Sequence, residues 1–168
     1  LITEPYLIRP LIDMFHNSGK HFDLSKLDTK ATSNQDFLKT IDGFLRNLLN
    51  RNKGKAIYID CWATWCKACT KEMPKSKELI HKYKEKDVAF VFINIDSQKK
   101  TFRAMLDKLN IDAQHYYLTK EQSIAFREKF KIVGIPYYIL IDKAGKISEK
   151  GNHLRPIIAA SKIEALLK

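Results

Sequence analysis

The chain has 168 residues, 45% hydrophobic and 11% aromatic, which suffices for one sizeable core and excludes a disordered or low-complexity polymer. Lys and Arg number 30 against 19 Asp and Glu, a net charge of +11. With no readout or stacking motif, that excess describes a solvated face able to steer acidic partners or an anionic membrane surface, and no nucleic-acid binding is expected.

In chain order, Pro5 to Phe15 carries helical spacing at Leu7, Leu11, Ile12 and Phe15, with a stop at Asn17-Ser18-Gly19, and residues 20–32 read as loop. Ser33 or Asn34 is placed to cap a second helix whose Phe37, Leu38, Ile41, Leu45, Leu48 and Leu49 share one face, and Gly54 closes it. An apolar strand follows at 55–61. A helix is predicted from Cys66 to about Glu85, with Pro74 removing one backbone donor inside it and predicting a kink. Its Lys71, Lys75 and Lys77, with Lys82, Lys84 and Lys86, form an outer charged face. Val88 to Ile95 is continuously apolar, as a strand buried on both faces should be.

The spacing next predicts a helix over 98–109 carrying Phe102, Met105, Leu106 and Leu109, then a short strand at His115–Leu118. Thr119 and Gln122 form a capping box for a helix through Phe130. Tyr137–Ile141 and Lys146–Lys150 read as a hairpin around the turn Asp142-Lys143-Ala144-Gly145. A last helix opens near Pro156 and is expected to bury Ile157, Ile158, Ile163, Leu166 and Leu167. The βαβ crossover requires parallel strands and the hairpin antiparallel ones, so the class is α/β, a mixed central sheet with helices on both faces.

Chemistry concentrates at Trp65-Cys66-Lys67-Ala68-Cys69, between an apolar strand and the start of a helix. Cysteines at i and i+3 on one helix face are close enough to form a disulfide with little movement. The helix N-terminus favours a thiolate at Cys66, the species that attacks disulfides, and Lys67 adds positive charge beside it. Cys61, Cys66 and Cys69 mimic an iron–sulfur spacing, but the chain has 3 cysteines and that site needs four. No histidine pair at zinc spacing lies nearby, and no metal is expected. Cys61, inside the strand, reads as a small buried hydrophobe.

Asp60-Cys61-Trp62-Ala63-Thr64-Trp65-Cys66-x-x-Cys69, then Pro74, and Val133-Gly134-Ile135-Pro136 further on, resemble the thioredoxin superfamily over about 55–168. Within it, Gly54-Lys55 before the strand, Glu72-x-Pro74 after the motif and an extra block at about 97–120 look most like the TlpA-like (ResA-like) thiol–disulfide oxidoreductases of bacterial cell envelopes. The resemblance implies a thioredoxin-like domain at 55–168 with an insertion at 97–120, preceded by a helical N-terminal extension at 1–54 or the end of a larger upstream region. It implies Cys66 as exposed nucleophile and Cys69 as the more buried resolving cysteine. Asp60 becomes the buried acid assisting proton transfer at Cys69, and Pro136 the cis-proline facing the pair. Trp62 and Trp65 would flank the site. Trp65, Ile135, Tyr137 and Lys67 would contact substrate, with Ile135 offering its backbone to an extended chain. Phe92 stands where relatives often carry a lysine near the buried Asp, which should make Asp60 harder to ionise. Tyr137 replaces the usual threonine, predicting a bulkier groove.

The implied function is a dithiol–disulfide oxidoreductase, reducing cysteines of envelope proteins. Its redox-active disulfide is Cys66–Cys69, with no other cofactor, and a membrane or soluble thiol donor re-reduces it. The alternatives are a cytosolic thioredoxin, a thioredoxin-like binding or assembly module, and a redox sensor. The chain begins at Leu1 without a basic leader and is expected to be an excised or mature piece, its envelope location resting on the resemblance.

Overall fold

Alternating apolar runs and amphipathic stripes after Gly54 fold into five strands and helices on both sides of them. The computed structural model describes residues 40–168. The helix expected at Pro5–Phe15, the loop at 20–32, the caps Ser33 and Asn34, and Phe37 and Leu38 lie outside the described residues. The order is α1 (Ile41–Arg51), β1 (Ala56–Trp62), α2 (Lys67–Lys82), β2 (Val88–Asn94), α3 (Lys99–Leu109), β3 (Gln114–Tyr117), α4 (Lys120–Phe130), β4 (Tyr137–Ile141), β5 (Ile147–Gly151) and α5 (Pro156–Leu167).

The sheet runs β3-β2-β1-β4-β5. β1 pairs parallel with β2 and antiparallel with β4, β2 pairs parallel with β3, and β4 antiparallel with β5. The mixed sheet follows from the connections: crossovers through α2 and α3 keep strands parallel, and the turn closed by Gly145 N–H to Asp142 O (3.0 Å) reverses the last pair. β1 and β2 are buried along their whole length, as two-sided coverage demands.

Strand alternation sorts the core into two faces. Ile57, Ile59, Cys61, Val91, Ile93, Ile139 and Ile141 face α1 and α4, where Leu45, Leu48, Phe126 and Phe130 close the layer. α1 therefore belongs to the core of the domain. Thr40 caps it, accepting from Gly43 N–H at 3.1 Å. Its last turn is tied to the sheet edge by Asn52 and Gln114, which exchange amide hydrogen bonds of 2.6 and 3.2 Å. The opposite face of β1, β2 and β4 carries Tyr58, Phe90, Tyr138 and Leu140 under α2 and α5. The block at about 97–120 forms α3 and the edge strand β3. α4 starts with the predicted reciprocal box: Gln122 N–H donates to Thr119 Oγ1 and Gln122 Oε1 accepts from Thr119 N–H.

Pro74 lies within α2 at an exposed position. Two expectations are corrected. α2 stops at Lys82, so Lys84 and Lys86 stand in the following turn, exposed like the helix's own lysines. In α5 the buried positions are Pro156, Ala159 and Ile163, whereas Ile157 is 69% and Ile158 47% exposed and Leu166 and Leu167 are only partly covered. α5 is apolar almost all round, so its inner face is set by small Ala159 letting the helix approach α2 and β1.

Ile163→Ala is therefore expected to destabilise the fold by about 2–5 kcal/mol, whereas Ile157→Ala stays within about 0.5 kcal/mol. Urea denaturation of the two variants measures the contrast.

Candidate active site

Cys66 occupies the N-cap of α2, and its sulfur accepts from Cys69 N–H at 3.1 Å. The two cysteines are joined as a disulfide, Cα atoms 5.3 Å apart. No acidic residue occupies the first turn of α2, so nothing there offsets the positive helix terminus that stabilises a sulfur anion. The expected ranking of exposure holds, 5% for Cys66 and 1% for Cys69, but both are buried in the oxidised state. Cys66 is recessed rather than open. Lys67, at the first helical position, is exposed.

From Cys69 inward, helical spacing puts Glu72, Met73, Ser76 and Leu79 on the buried stripe of α2. Beneath them lies Asp60, 1% exposed, in register with Phe92 on one side and Tyr138 on the other. Neither neighbour carries a charge to balance it. Burial above all, and then the negative charge of Glu72, push the Asp60 carboxyl up from 3.8 to about 8. The nearby Ser76 hydroxyl, lacking a well-aligned hydrogen bond, opposes that rise. Among the described residues, Asp60 Oδ1, Ser76 Oγ and Tyr138 Oη are buried without a hydrogen-bond partner. Burial, reinforced by the Asp60 charge, also holds the Tyr58 and Tyr138 phenols and the Cys61 thiol well above their usual ranges. Cys61 is accordingly an inert core side chain on the other face of β1.

Glu72 Oε1 accepts from Arg155 Nη1 at 2.9 Å, and Lys75 Nζ lies 3.9 Å from Oε2. Arg155 comes from the N-cap of α5, 83 residues away in the chain. Sequence reasoning marked Glu72 only as part of a motif and missed Ser76 and Arg155. Spacing of i+3 and i+7 from Cys69 was a usable signal for the first two; Arg155 carried none.

The cis peptide is at Ile135-Pro136, as expected. Pro136 is buried, and half-buried Ile135 packs against the cluster that holds Cys66 and Cys69. Tyr137 is not brought to the pair. Strand alternation turns its ring to the Cys61 face, where its hydroxyl donates to Phe130 O at 3.4 Å, so the bulk expected of it in the groove lies on the other face of the sheet. Trp62 also departs from expectation: it is fully buried beneath the site, its ring 6.2 Å from Phe102, in the same cluster as both cysteines.

Trp65 does flank the site, 60% exposed. Its Nε1 donates to Asp96 O at 2.9 Å. Asp96 adopts a left-handed φ of 58°, a conformation that costs energy in a residue with a side chain. It is clamped there by Arg127, whose Nε and Nη2 lie 2.7 and 2.6 Å from Oδ2. Thr64 N–H donates to Ser97 Oγ at 2.9 Å, so the loop before Cys66 is fastened to the start of α3. Thr64, Trp65, Thr101, Ala104, Met105 and Lys108 line a groove of about 300 Å³ beside the cysteine pair.

The thioredoxin-like family model matches residues 54–147. The chain is similar to the thiol-disulfide oxidoreductase ResA of Bacillus cereus, 34% identical over 104 residues covering 58% of this chain and 55% of that protein. It is also similar to the thioredoxin-like protein YneN of Bacillus subtilis, 32% identical over 106 residues covering 55% and 61%. The chain thus spans little more than half the length of these relatives. The crystal structure of the thioredoxin domain of a thiol-disulfide oxidoreductase from Bacteroides vulgatus superposes with a TM-score of 0.65 at 27% identity, covering 71% of this chain and 84% of that one.

Asp60 binds its proton more tightly in the folded protein than in the unfolded chain, so its contribution declines as pH rises from about 4 through about 8. Asp60→Asn removes that loss. With both proteins oxidised, the variant is expected to gain on the parent across this window, by about 1.4 kcal/mol for each pH unit of separation. Urea midpoints measured between pH 4 and 9 check it; parallel curves would remove Asp60 as a buried, proton-holding group.

Proposed function

The chain belongs to the thioredoxin-like family, and from that premise we propose that it is a thiol–disulfide oxidoreductase of the bacterial cell envelope that reduces disulfides in client proteins. The observation that carries the reading is one arrangement: Cys66 at a helix N-terminus, Cys69 one turn behind it, and a buried carboxyl, Asp60, near Glu72 and Ser76 of the same helix. The names of the relatives support the activity, and the TlpA-like subgroup and envelope location follow from the motif resemblance.

In the reduced enzyme the Cys66 thiolate attacks one sulfur of the client disulfide, forming a Cys66–client bond and releasing one client thiolate. The Cys69 thiol passes its proton to the Asp60 carboxylate, and its sulfur attacks Cys66. The Cys66–Cys69 bond forms, the mixed disulfide breaks, and the second client thiolate leaves. Two electrons have passed to the client, so a thiol donor, membrane-bound or soluble, must return them. The cysteine pair itself carries the electrons, and the proposal needs no metal or organic cofactor. Ile135, Trp65 and the groove beside it are the client-facing surface, and Lys67 adds positive charge at its centre. Exposed Val133, next to the cis-proline loop, adds apolar surface.

Cys69→Ser is expected to accumulate a mixed disulfide with a disulfide-bearing client, detectable by mass spectrometry, and Cys66→Ser to form none. Trapping through Cys69 instead would reverse the roles. The equilibrium potential of the pair, followed by Trp65 fluorescence in thiol buffers, is expected near or below roughly −270 mV for a reductant. A value between about −120 and −180 mV marks an oxidase or isomerase.

A further inference from the structure

We propose that Arg155, through its ion pair with Glu72, is the positioning residue that governs when the buried Asp60 carboxyl behind Cys69 can give up its proton. The inference rests on the redox reading above and adds a residue to its second step. Two carboxyls sharing a buried pocket cannot both carry charge cheaply, and the pocket's cations decide how much charge it holds. Among the described residues, one cation is well placed on this pocket. The Arg155 guanidinium meets Glu72 Oε1 at 2.9 Å, whereas Lys75, on the helix's outer side, stays at 3.9 Å from Oε2.

The groups facing Asp60 can be named element by element. From α2 come Glu72 and Ser76; from β1 itself, Tyr58; from β4, Tyr138; from β2, uncharged Phe92. Every titratable member of that set is an acid. Negative charge on Glu72 makes Asp60 harder to ionise, and Arg155 offsets that charge directly.

The backbone holds Arg155 ready for this role. Leu154 and Pro156 on either side of it are buried, and Tyr58 Oη donates to Leu154 O at 2.7 Å. Tyr83 Oη, at the end of α2, donates to Ala160 O and to Glu164 Oε1, both at 2.9 Å, locking α5 on α2. The guanidinium itself is about half exposed, at 49%. It stands where the solvent meets a carboxyl pair otherwise sealed under α2, so the start of α5 sets the charge that the pocket beneath Cys69 tolerates.

The test follows the Asp60 and Glu72 side-chain carboxyl carbons by NMR across pH in the intact chain, a readout that needs no client and no turnover. In Arg155→Met the last proton is expected to leave the carboxyl pair about one to three pH units higher than in the parent, and Arg155→Lys restores most of the difference. Glu72→Gln is expected to move the Asp60 titration down, and adding Arg155→Met to it has little further effect. Release of a preformed mixed disulfide at neutral pH slows in Arg155→Met by about tenfold for each pH unit gained. Superimposable titrations of parent and Arg155→Met overturn the proposal. So does an Arg155→Met shift that persists in full without Glu72, or an unmoved Asp60 in Glu72→Gln, which stays decisive should the Arg155 variants not fold. A parent whose cysteines never exchange with a disulfide defeats the redox reading instead, and leaves the titrations legible.

Discussion

Everything at the site depends on how α2 lies across the even-numbered face of β1. One helical stripe, Cys69, Glu72, Met73, Ser76 and Leu79, is pressed against one strand face, Tyr58, Asp60 and Trp62. That docking buries Cys69 and leaves the N-terminus of α2 with Cys66 as its cap. It also removes Asp60 from water without giving it a counter-charge. A helix rotated by one residue would bring Glu72 or Lys71 to a different wall and separate Cys69 from the carboxyl. Apolar packing further along, through Leu79, Tyr83 and Ile163, fixes the rotation.

Two flanking structures complete the site from opposite sides. The cis-proline loop brings Ile135 against the cysteine cluster. On the other side, the β2–α3 junction holds Trp65 and Thr64 through Asp96 and Ser97. The Arg127–Asp96 pair matters here because it is only partly exposed and two-pronged, so it loses less to solvent and to side-chain entropy than an ordinary surface pair. The block between β2 and α4 therefore extends the sheet through β3 and also supports the wall beside Cys66.

Much of this was legible in the sequence because the informative features are local. Cys66 and Cys69 at a strand–helix boundary, the box at Thr119 and Gln122, and the turn closed by Gly145 each declare themselves within a few residues. Phe92 beside Asp60 is legible only through the family resemblance, and the parallel register of β1 and β2 makes the two direct neighbours. Tyr137 was misread although period-two alternation held the answer: Tyr137 and Tyr138 point to opposite faces, and Tyr138 is the one facing Asp60. Ile157 and Ile158 were misread for the opposite reason, since a helix apolar on every side gives periodicity nothing to choose between. Arg155 was invisible because an ion pair spanning 83 residues leaves no local trace.

The polar set under α2 is costly. Asp60, Ser76 and Tyr138 bury atoms without hydrogen bonds, and Asp60 and Glu72 place two acids in one pocket. Each such group works against folding, and asparagine at 60 or glutamine at 72 would relieve the charge with little change of volume. Buried polar atoms without partners occur elsewhere too, at Trp62, Asn94 and His115, while the face toward α1 and α4 is built mainly from Leu, Ile, Val and Phe around a buried Cys61. Two buried acids under the helix that carries the disulfide are the pattern expected where proton transfer and not packing determines the residues. The Glu72–Arg155 pair fits the same logic. An ion pair whose arginine is about half exposed adds little to the stability of a fold, so its value in that proposal lies in setting the charge beside Asp60.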